Sequence, residues 1–277
     1  MIPIGLNLTS IGVSSEWWID SARQAEQAGF TAVWCWDHHI SRGRKQDAVL
    51  ECWTTLTAAA AHTSRLKVGS CVTNVMNRHP AILARMLATI ADQSHGRVEL
   101  GIGVGGSGPE LPAYGIARPE PSERSRILEE AVQVIRSLWS GGPITYEGTY
   151  FHLKDAWSRP APEPPPRIII GGEKPAGARL AARAGDGWTT NAADYDELLP
   201  IHLAELSDHH RSRAEVAHLL ALQLDRDEPL GRQPLIADMA GFLAEWQDKG
   251  ADEIIVSWVK PAELPALLDA AERAGLS

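Results

Sequence analysis

The stretch AEQAGFTAVWCWDHH, residues 25–39, carries the reading of the whole chain. A helical pattern stops at Gly29, an apolar run from Phe30 to Trp36 reads as a buried strand, and that run ends at Asp37, His38 and His39. Glycine is a common helix terminator because it adopts the left-handed backbone without steric conflict. A carboxylate and two imidazoles cannot lie unpaired in the middle of a strand buried on both faces, since an unpaired buried charge is strongly unfavourable. At the strand's end they face either solvent and local partners or a ligand.

The same alternation extends in both directions. Ile2 to Leu8 is β-rich, and the helical segment Ser15 to Ala28 has Ser14 or Ser15 as its N-cap. Beyond the quoted stretch come a helix over Leu50 to His62, a strand over Leu66 to Thr73 and a helix over Pro80 to Ser94. That last helix opens on a proline, whose missing N–H is not needed in a first turn. A strand over Val98 to Ile102 and a helix from about Ser122 to Trp139 follow. The rhythm breaks between Gly141 and Arg167, where ITYEGTYFHL suggests a hairpin and APEPPP must be extended. It resumes with a strand over Arg167 to Ile170, a helix over Ala176 to Ala184, and strands over Trp188 to Thr190, Leu219 to Leu224 and Glu253 to Trp258. Strands alternating with helices imply a parallel sheet. About eight such units in roughly 250 residues favour a (β/α)8 TIM barrel, with a doubly wound open sheet as the alternative. The expectation is one α/β domain over residues 1–277, carrying an irregular insertion at about 141–166.

Composition narrows the function. Of 277 residues, 44% are hydrophobic and 22% charged, as in ordinary soluble globular proteins. No apolar run approaches the roughly 20 residues that span a bilayer. The N-terminal MIPIGLNLTS reads as a first strand, not a signal peptide. Cys35, Cys52 and Cys71 are odd in number and lack C-x-x-C spacing, which argues against a disulfide framework or zinc site and for a reduced, cytoplasmic setting. A net charge of −9 opposes nucleic-acid binding, which depends on Lys and Arg at the phosphates. It leaves room for a local basic pocket. The ten tryptophans suit the walls of a pocket for an aromatic ligand. The expected partner is a small-molecule substrate, with no nucleic acid and no membrane; a homodimer is compatible with the sequence.

In a barrel, the residues just after each strand form the active face. Asp37, His38 and His39 lie there, as do Thr73 and Asn74, Gly103 to Gly106, and Gly171 to Lys174. Adjacent histidines on an extended chain point to opposite sides, and no H-x-H or H-E-x-x-H accompanies them, so no metal site is expected. An Asp-His pair suits acid–base work, because histidine titrates near neutrality and a carboxylate can orient it. The other reading is a capping Asp with two surface histidines. GIGVGG (residues 101–106) matches G-x-G-x-x-G, but SGPELPAYG follows with two prolines, so no helix begins and the dinucleotide fingerprint is rejected. Its glycines permit close approach of backbone to a ligand, or a tight turn. In IIIGGEKPAGARLAARAGDGW (residues 168–188), a strand runs into Gly171-Gly172 and a helix begins near Pro175. Free N–H groups there, beside Lys174, form a natural phosphate site; an ordinary βα loop is the alternative. Arg42-Gly43-Arg44-Lys45 is a solvated loop or a contact for an anionic tail, and a surface arginine with a helix-starting proline accounts for Arg78-His79-Pro80.

Three segments, AEQAGFTAVWCWDHH, VGSCVTNVMNRHPAILARMLATIADQSHGRVELGIGVGG and PPRIIIGGEKPAGARLAARAGDGW, together resemble the luciferase-like monooxygenase superfamily. Within it they are most similar to the deazaflavin (coenzyme F420)-dependent oxidoreductases. The likeness covers most of residues 1–190 in the expected order and is looser over IIVSWVKPAELPALLDAAERAG. It implies a (β/α)8 barrel with an insertion and a flavin or deazaflavin at the C-terminal face. The implied reaction is hydride transfer between F420 and a small organic substrate. An FMN-dependent monooxygenase, or a barrel that binds flavin without turnover, is the alternative. By the same resemblance, Asp37 and His38 fall on the pair that contacts the deazaflavin ring and the reacting centre, with Asp37 orienting His38 or bonding the ring. Cys71-Val72 falls on a pair whose peptide bond is often cis, and Thr73 and Asn74 on a VTN stretch. Gly103, Gly105 and Gly106 fall in the glycine-rich loop, and Gly171, Gly172, Lys174, Pro175 and Ala176 on the phosphate-binding loop. One departure stands out. The sugar-phosphate dehydrogenases of this family carry a catalytic glutamate where this chain has Gly106, and Glu110 is nearby but displaced.

Overall fold

The computed structural model describes residues 1–276 apart from Arg42, Lys45 and Ser107, so Arg42 and Lys45 of the basic cluster lie outside the described residues. The elements run β1 (Ile4–Leu8), α1 (Ser15–Gln27), β2 (Ala32–Cys35), α2 (Cys52–His62), β3 (Lys67–Ser70), β4 (Thr73–Asn74), α3 (Pro80–Ser94) and β5 (Val98–Gly103). They continue with α4 (Glu110–Ala113), α5 (Pro121–Trp139), β6 (Ile144–Glu147), β7 (His152–Ala156), β8 (Ile168–Gly171), α6 (Pro175–Ala184), β9 (Gly187–Asn191) and α7 (Tyr195–Asp208). The last are β10 (Ala217–Gln223), α8 (Pro234–Ala237), α9 (Met239–Asp248), β11 (Glu253–Val259) and α10 (Leu264–Arg273).

Eight parallel strands follow one another in the order β3, β2, β1, β11, β10, β9, β8, β5, and β3 pairs back to β5. That last pairing closes the sheet into a (β/α)8 barrel; an open doubly wound sheet would leave β3 and β5 as edges. Local signals act where the sequence places them. Ser14 caps α1 by accepting the Trp17 N–H at 3.1 Å, and Glu51 caps α2 by accepting the Thr54 N–H at 2.7 Å. Helix α1 buries Trp18, Ser21, Ala22 and Ala25, one stripe at helical spacing. The expected strand over Leu66 to Thr73 is divided: β3 stops at Ser70, the Cys71–Val72 peptide is cis, and the chain pairs again at β4.

The main core lies between strands and helices, and a second cluster of Ala32, Trp34, Ile169, Leu219 and Ile255, all from strands, fills the barrel interior. Trp34 takes the space that two glycines leave free. A Cβ on Gly69 would come within 2.4 Å of its ring, and one on Gly5 within 2.8 Å. At the N-terminal end, Glu99 accepts hydrogen bonds from Lys67 (2.8 Å) and doubly from Arg167 (both 2.8 Å), while Arg167 also reaches Glu253 at 3.3 Å. Glu253 Oε1 is buried without a partner among the described residues. Burial pushes the Glu253 pKa up to about 7, the Glu99 charge adds to this, and Arg167 opposes it.

The insertion is a β6–β7 hairpin. Glu130 of α5 holds its tip by accepting the N–H groups of Thr149 (3.0 Å), Tyr150 (2.9 Å) and Phe151 (2.8 Å). The Pro-rich segment after it contains cis bonds at Arg159–Pro160 and Glu163–Pro164. Among the described residues, no helix is long and apolar enough to cross a membrane.

Candidate active site at the mouth of the barrel

The Asp37 carboxylate, just past β2, is almost completely enclosed. It accepts a bidentate pair from Arg78 (2.6 and 2.9 Å), the Asn77 amide at 3.0 Å and the Asn74 backbone N–H at 3.2 Å. Arg78 also bonds Glu51, the cap of α2. Burial works against the Arg78 charge, but the hydrogen bonds and charge of Asp37 raise its pKa above the ordinary arginine value. Bidentate, charge-assisted pairs are among the strongest polar contacts. Two expectations change here. Arg78 is no surface arginine, with 13% of its side chain exposed. Asp37 does not orient His38, because its oxygens are taken up in joining the end of β2 to the 3-10 turn Val75–Asn77 and the start of α2.

The partner of His38 is Glu110. His38 Nδ1 lies 2.7 Å from Glu110 Oε1, and Glu110 Oε2 accepts the backbone N–H of His39 at 3.3 Å. A carboxylate that accepts fixes the proton on Nδ1 and leaves the lone pair on Nε2. Glu110 opens the short helix α4, inside the connection from β5 to α5, where the prolines of SGPELPAYG predict no helix; a single turn forms there, too far from β5 to restore a dinucleotide fingerprint. Arg124 of α5 anchors the root of that connection on the carbonyls of Val104 (2.7 Å), Gly105 (2.8 Å) and Gly106 (3.4 Å). The His38 ring stands edge-on to Trp36 at 5.0 Å, and Trp36 lies 4.4 Å from Trp258. His39 turns to Tyr114, ring centroids 5.0 Å apart. Position by position, Glu110 is displaced from Gly106; in space, the loop returns it to the imidazole.

The glycines expected to admit a ligand mostly admit the chain itself. The Val72 side chain nests among Gly101, Gly103 and Gly171, whose Cβ atoms would stand 3.2, 3.0 and 3.1 Å from it. Gly105, at φ +76°, faces the Asn74 amide, which a Cβ would approach to 2.4 Å. Gly106 contributes its carbonyl to Arg124. Thr73 is wholly buried and accepts from Trp53 Nε1 at 3.0 Å. Cys71 lies at the same level, where burial raises its thiol pKa to about 12, with Glu173 adding to the shift. Strand ends β2, β3, β5 and β8 thus converge on one mouth.

At the phosphate-loop candidate, α6 begins at Pro175 with Lys174 before it and no side-chain cap. Glu173, Lys174, Pro175 and Ala176 are exposed while Gly172 is buried. A Cβ on Gly172 would lie 2.5 Å from the Gly177 backbone, so Gly172 serves the packing of the turn against its own helix. An uncapped helix start beside a lysine attracts anions through its N–H groups and dipole.

Fold and site together define a (β/α)8 barrel with an imidazole–carboxylate pair and an uncapped helix start on one face. The chain belongs to the luciferase-like monooxygenase family, whose model matches residues 14–227. It is 34% identical to an F420-dependent glucose-6-phosphate dehydrogenase from Microbacterium testaceum over 80% of this chain and 69% of that protein. It is 37% identical to an F420-dependent hydroxymycolic acid dehydrogenase from Mycobacterium tuberculosis over 64% of this chain and 49% of that one. The chain therefore spans about two thirds and half, respectively, of the lengths of these relatives. The same fold occurs in an F420-dependent secondary alcohol dehydrogenase solved with an F420-acetone adduct, at TM-score 0.87 and 21% identity, over 99% of this chain and 98% of that one.

Proposed function

We propose that the protein is a coenzyme F420-dependent oxidoreductase that transfers a hydride between the deazaflavin and the hydroxyl or carbonyl carbon of a small organic substrate. The His38–Glu110 pair, 2.7 Å apart at the barrel mouth, carries this reading. The residues present fit the cofactor: the exposed, uncapped start of α6 suits its phosphate, and the partly exposed Val72 lies among the strand ends that meet at the mouth. When bound, the deazaflavin supplies the hydride chemistry.

The chain's own groups do the rest. His38 Nε2 accepts the proton that a substrate hydroxyl loses on oxidation, and returns it in the reverse direction. Glu110 holds the ring by Nδ1–H and offsets the charge of the imidazolium that forms. Positioned acid–base groups of this kind contribute about 10²–10⁴-fold. The exposed N–H groups at Glu173, Lys174 and Ala176, with the Lys174 charge, hold the phosphate, while the Gly172 N–H is taken up by the Thr189 carbonyl. Asp37 acts one step back, fixing the strand end that carries His38. The named activities of the relatives, each a dehydrogenase dependent on F420, support the cofactor assignment.

Fluorescence titration with F420 and with FMN, followed by a panel of secondary alcohols scored by bleaching of the deazaflavin, tests this. F420 should bind more tightly and bleach with at least one alcohol. A clear preference for FMN would overturn the reading.

A further inference from the structure

We propose that Trp188 and His202 are positioning residues for the cofactor phosphate, setting the shape of the turn into α6 from beneath without touching the ligand. The inference rests on the reading of α6 as the phosphate-binding helix.

Both side chains are completely buried. Trp188, on β9, donates its indole N–H to the Gly172 carbonyl at 3.1 Å. His202, on α7, meets the Ala178 carbonyl with Nδ1 at 2.9 Å. A carbonyl only accepts, so the His202 proton sits on Nδ1. The two rings are stacked, centroids 4.5 Å apart and 14° from parallel. One rigid pair of rings therefore holds both ends of the segment from Gly172 to Ala178. The N–H of Gly172 is also fixed, donating to the Thr189 carbonyl at 2.9 Å. Gly172 and Gly177 are in tight backbone contact, so the turn has little room to relax.

Peptide planarity carries the effect outward. The Gly172 carbonyl and the Glu173 N–H share one trans peptide plane and point in opposite directions. Trp188 draws the carbonyl inward, which aims the Glu173 N–H away from the buried stack, on the side where Glu173, Lys174 and Ala176 are exposed. Behind the stack, His218 stands edge-on to Trp188 at 5.2 Å and meets the Tyr195 hydroxyl at 2.8 Å, with Tyr195 donating onward to the Gly250 carbonyl at 3.2 Å. The stack is thereby backed on its far side.

The test compares two ligands: F420 and the phosphate-free deazaflavin riboside, which lacks the phosphate and the tail attached through it. Trp188→Phe keeps the ring and removes the donor. It should weaken F420 binding about tenfold, the upper worth of one net hydrogen bond, and leave the riboside unchanged. His202→Leu should act in the same direction. His202→Asn, whose amide nitrogen sits near the place of Nδ1, should restore F420 affinity, and this pair carries the test should Trp188→Phe fail to fold. Equal weakening of both ligands, or none, would overturn the proposal and leave the stack as core alone. Wild-type protein binding both ligands equally would instead remove the phosphate reading of α6, and the proposal with it.

Discussion

His38 Nδ1 lies 2.7 Å from Glu110 Oε1, although the two residues stand 72 positions apart in the chain. The contact joins the end of one strand to a four-residue helix in another connection, and it selects the tautomer of the imidazole. Replacing Glu110 by Gln keeps an acceptor of the same shape and removes the charge that offsets the imidazolium. Turnover is expected to fall about 10²-fold, with the F420 dissociation constant unchanged. Steady-state kinetics and fluorescence titration read the two quantities separately; an unchanged kcat would remove Glu110 from the mechanism.

Asp37 and His38 should part company in a stability measurement. Asp37→Asn leaves Arg78 buried without its bidentate partner, and removing one member of a buried pair typically costs about 3–5 kcal/mol. Denaturant unfolding of Asp37→Asn should show a loss of that order. His38→Asn should stay within about 1 kcal/mol of the parent, as is usual for a partly exposed site.

The carboxyl at the other end of the barrel gives a pH signature. With the Glu253 pKa raised to about 7 by burial from the usual 4.5, the folded protein keeps a proton that the unfolded chain releases. Stability from this group therefore falls as pH rises from 4.5 to 7, and stays low above it. Glu253→Gln should be more stable than the parent at pH 8, on the order of 1–3 kcal/mol, and the gain should disappear in acid. Thermal unfolding at the two pH values checks this; a variant less stable at pH 8 would show that the charge helps.

His218 works in the opposite sense. Burial, with Arg213 and His202 nearby, lowers its pKa to about 2, so the folded state refuses a proton that the unfolded chain accepts near 6.5. Its contribution is present above 6.5 and drains as pH falls. In His218→Leu, the decline of stability between those limits should be flatter by about 1.4 kcal/mol per pH unit. An unchanged slope would show that another group carries the acid sensitivity.

The barrel is legible in the sequence because each βα unit repeats its own punctuation: Ser14 before α1, Gly29 after it, Pro80 and Pro175 at helix starts. Those signals act within a few residues, and the structure obeys them. The mouth is legible as a place for the same reason. The division of labour within it is not. Asp37 and His38 are neighbours in sequence, yet one meets Arg78 and the other Glu110, and neither partner lies within a turn or strand repeat of them. Glu110 sits in a loop with no periodicity, where alignment by position measures a displacement that the chain's path cancels. Glycines are ambiguous in the same way: a sequence shows that a side chain is missing, not what occupies the space.

Val72 and the glycines around it form a linked set of choices. Gly101 has no freedom, since a Cβ there would lie 1.9 Å from the Ser70 carbonyl oxygen, which is backbone and cannot be trimmed. Gly103 and Gly171 are different, because what crowds them is the Val72 isopropyl group, at 3.0 and 3.1 Å. Shortening residue 72 to alanine would release both positions at once. Evolution of this barrel mouth is thus historical: which residues are tolerated at 103 and 171 depends on whether position 72 has changed first.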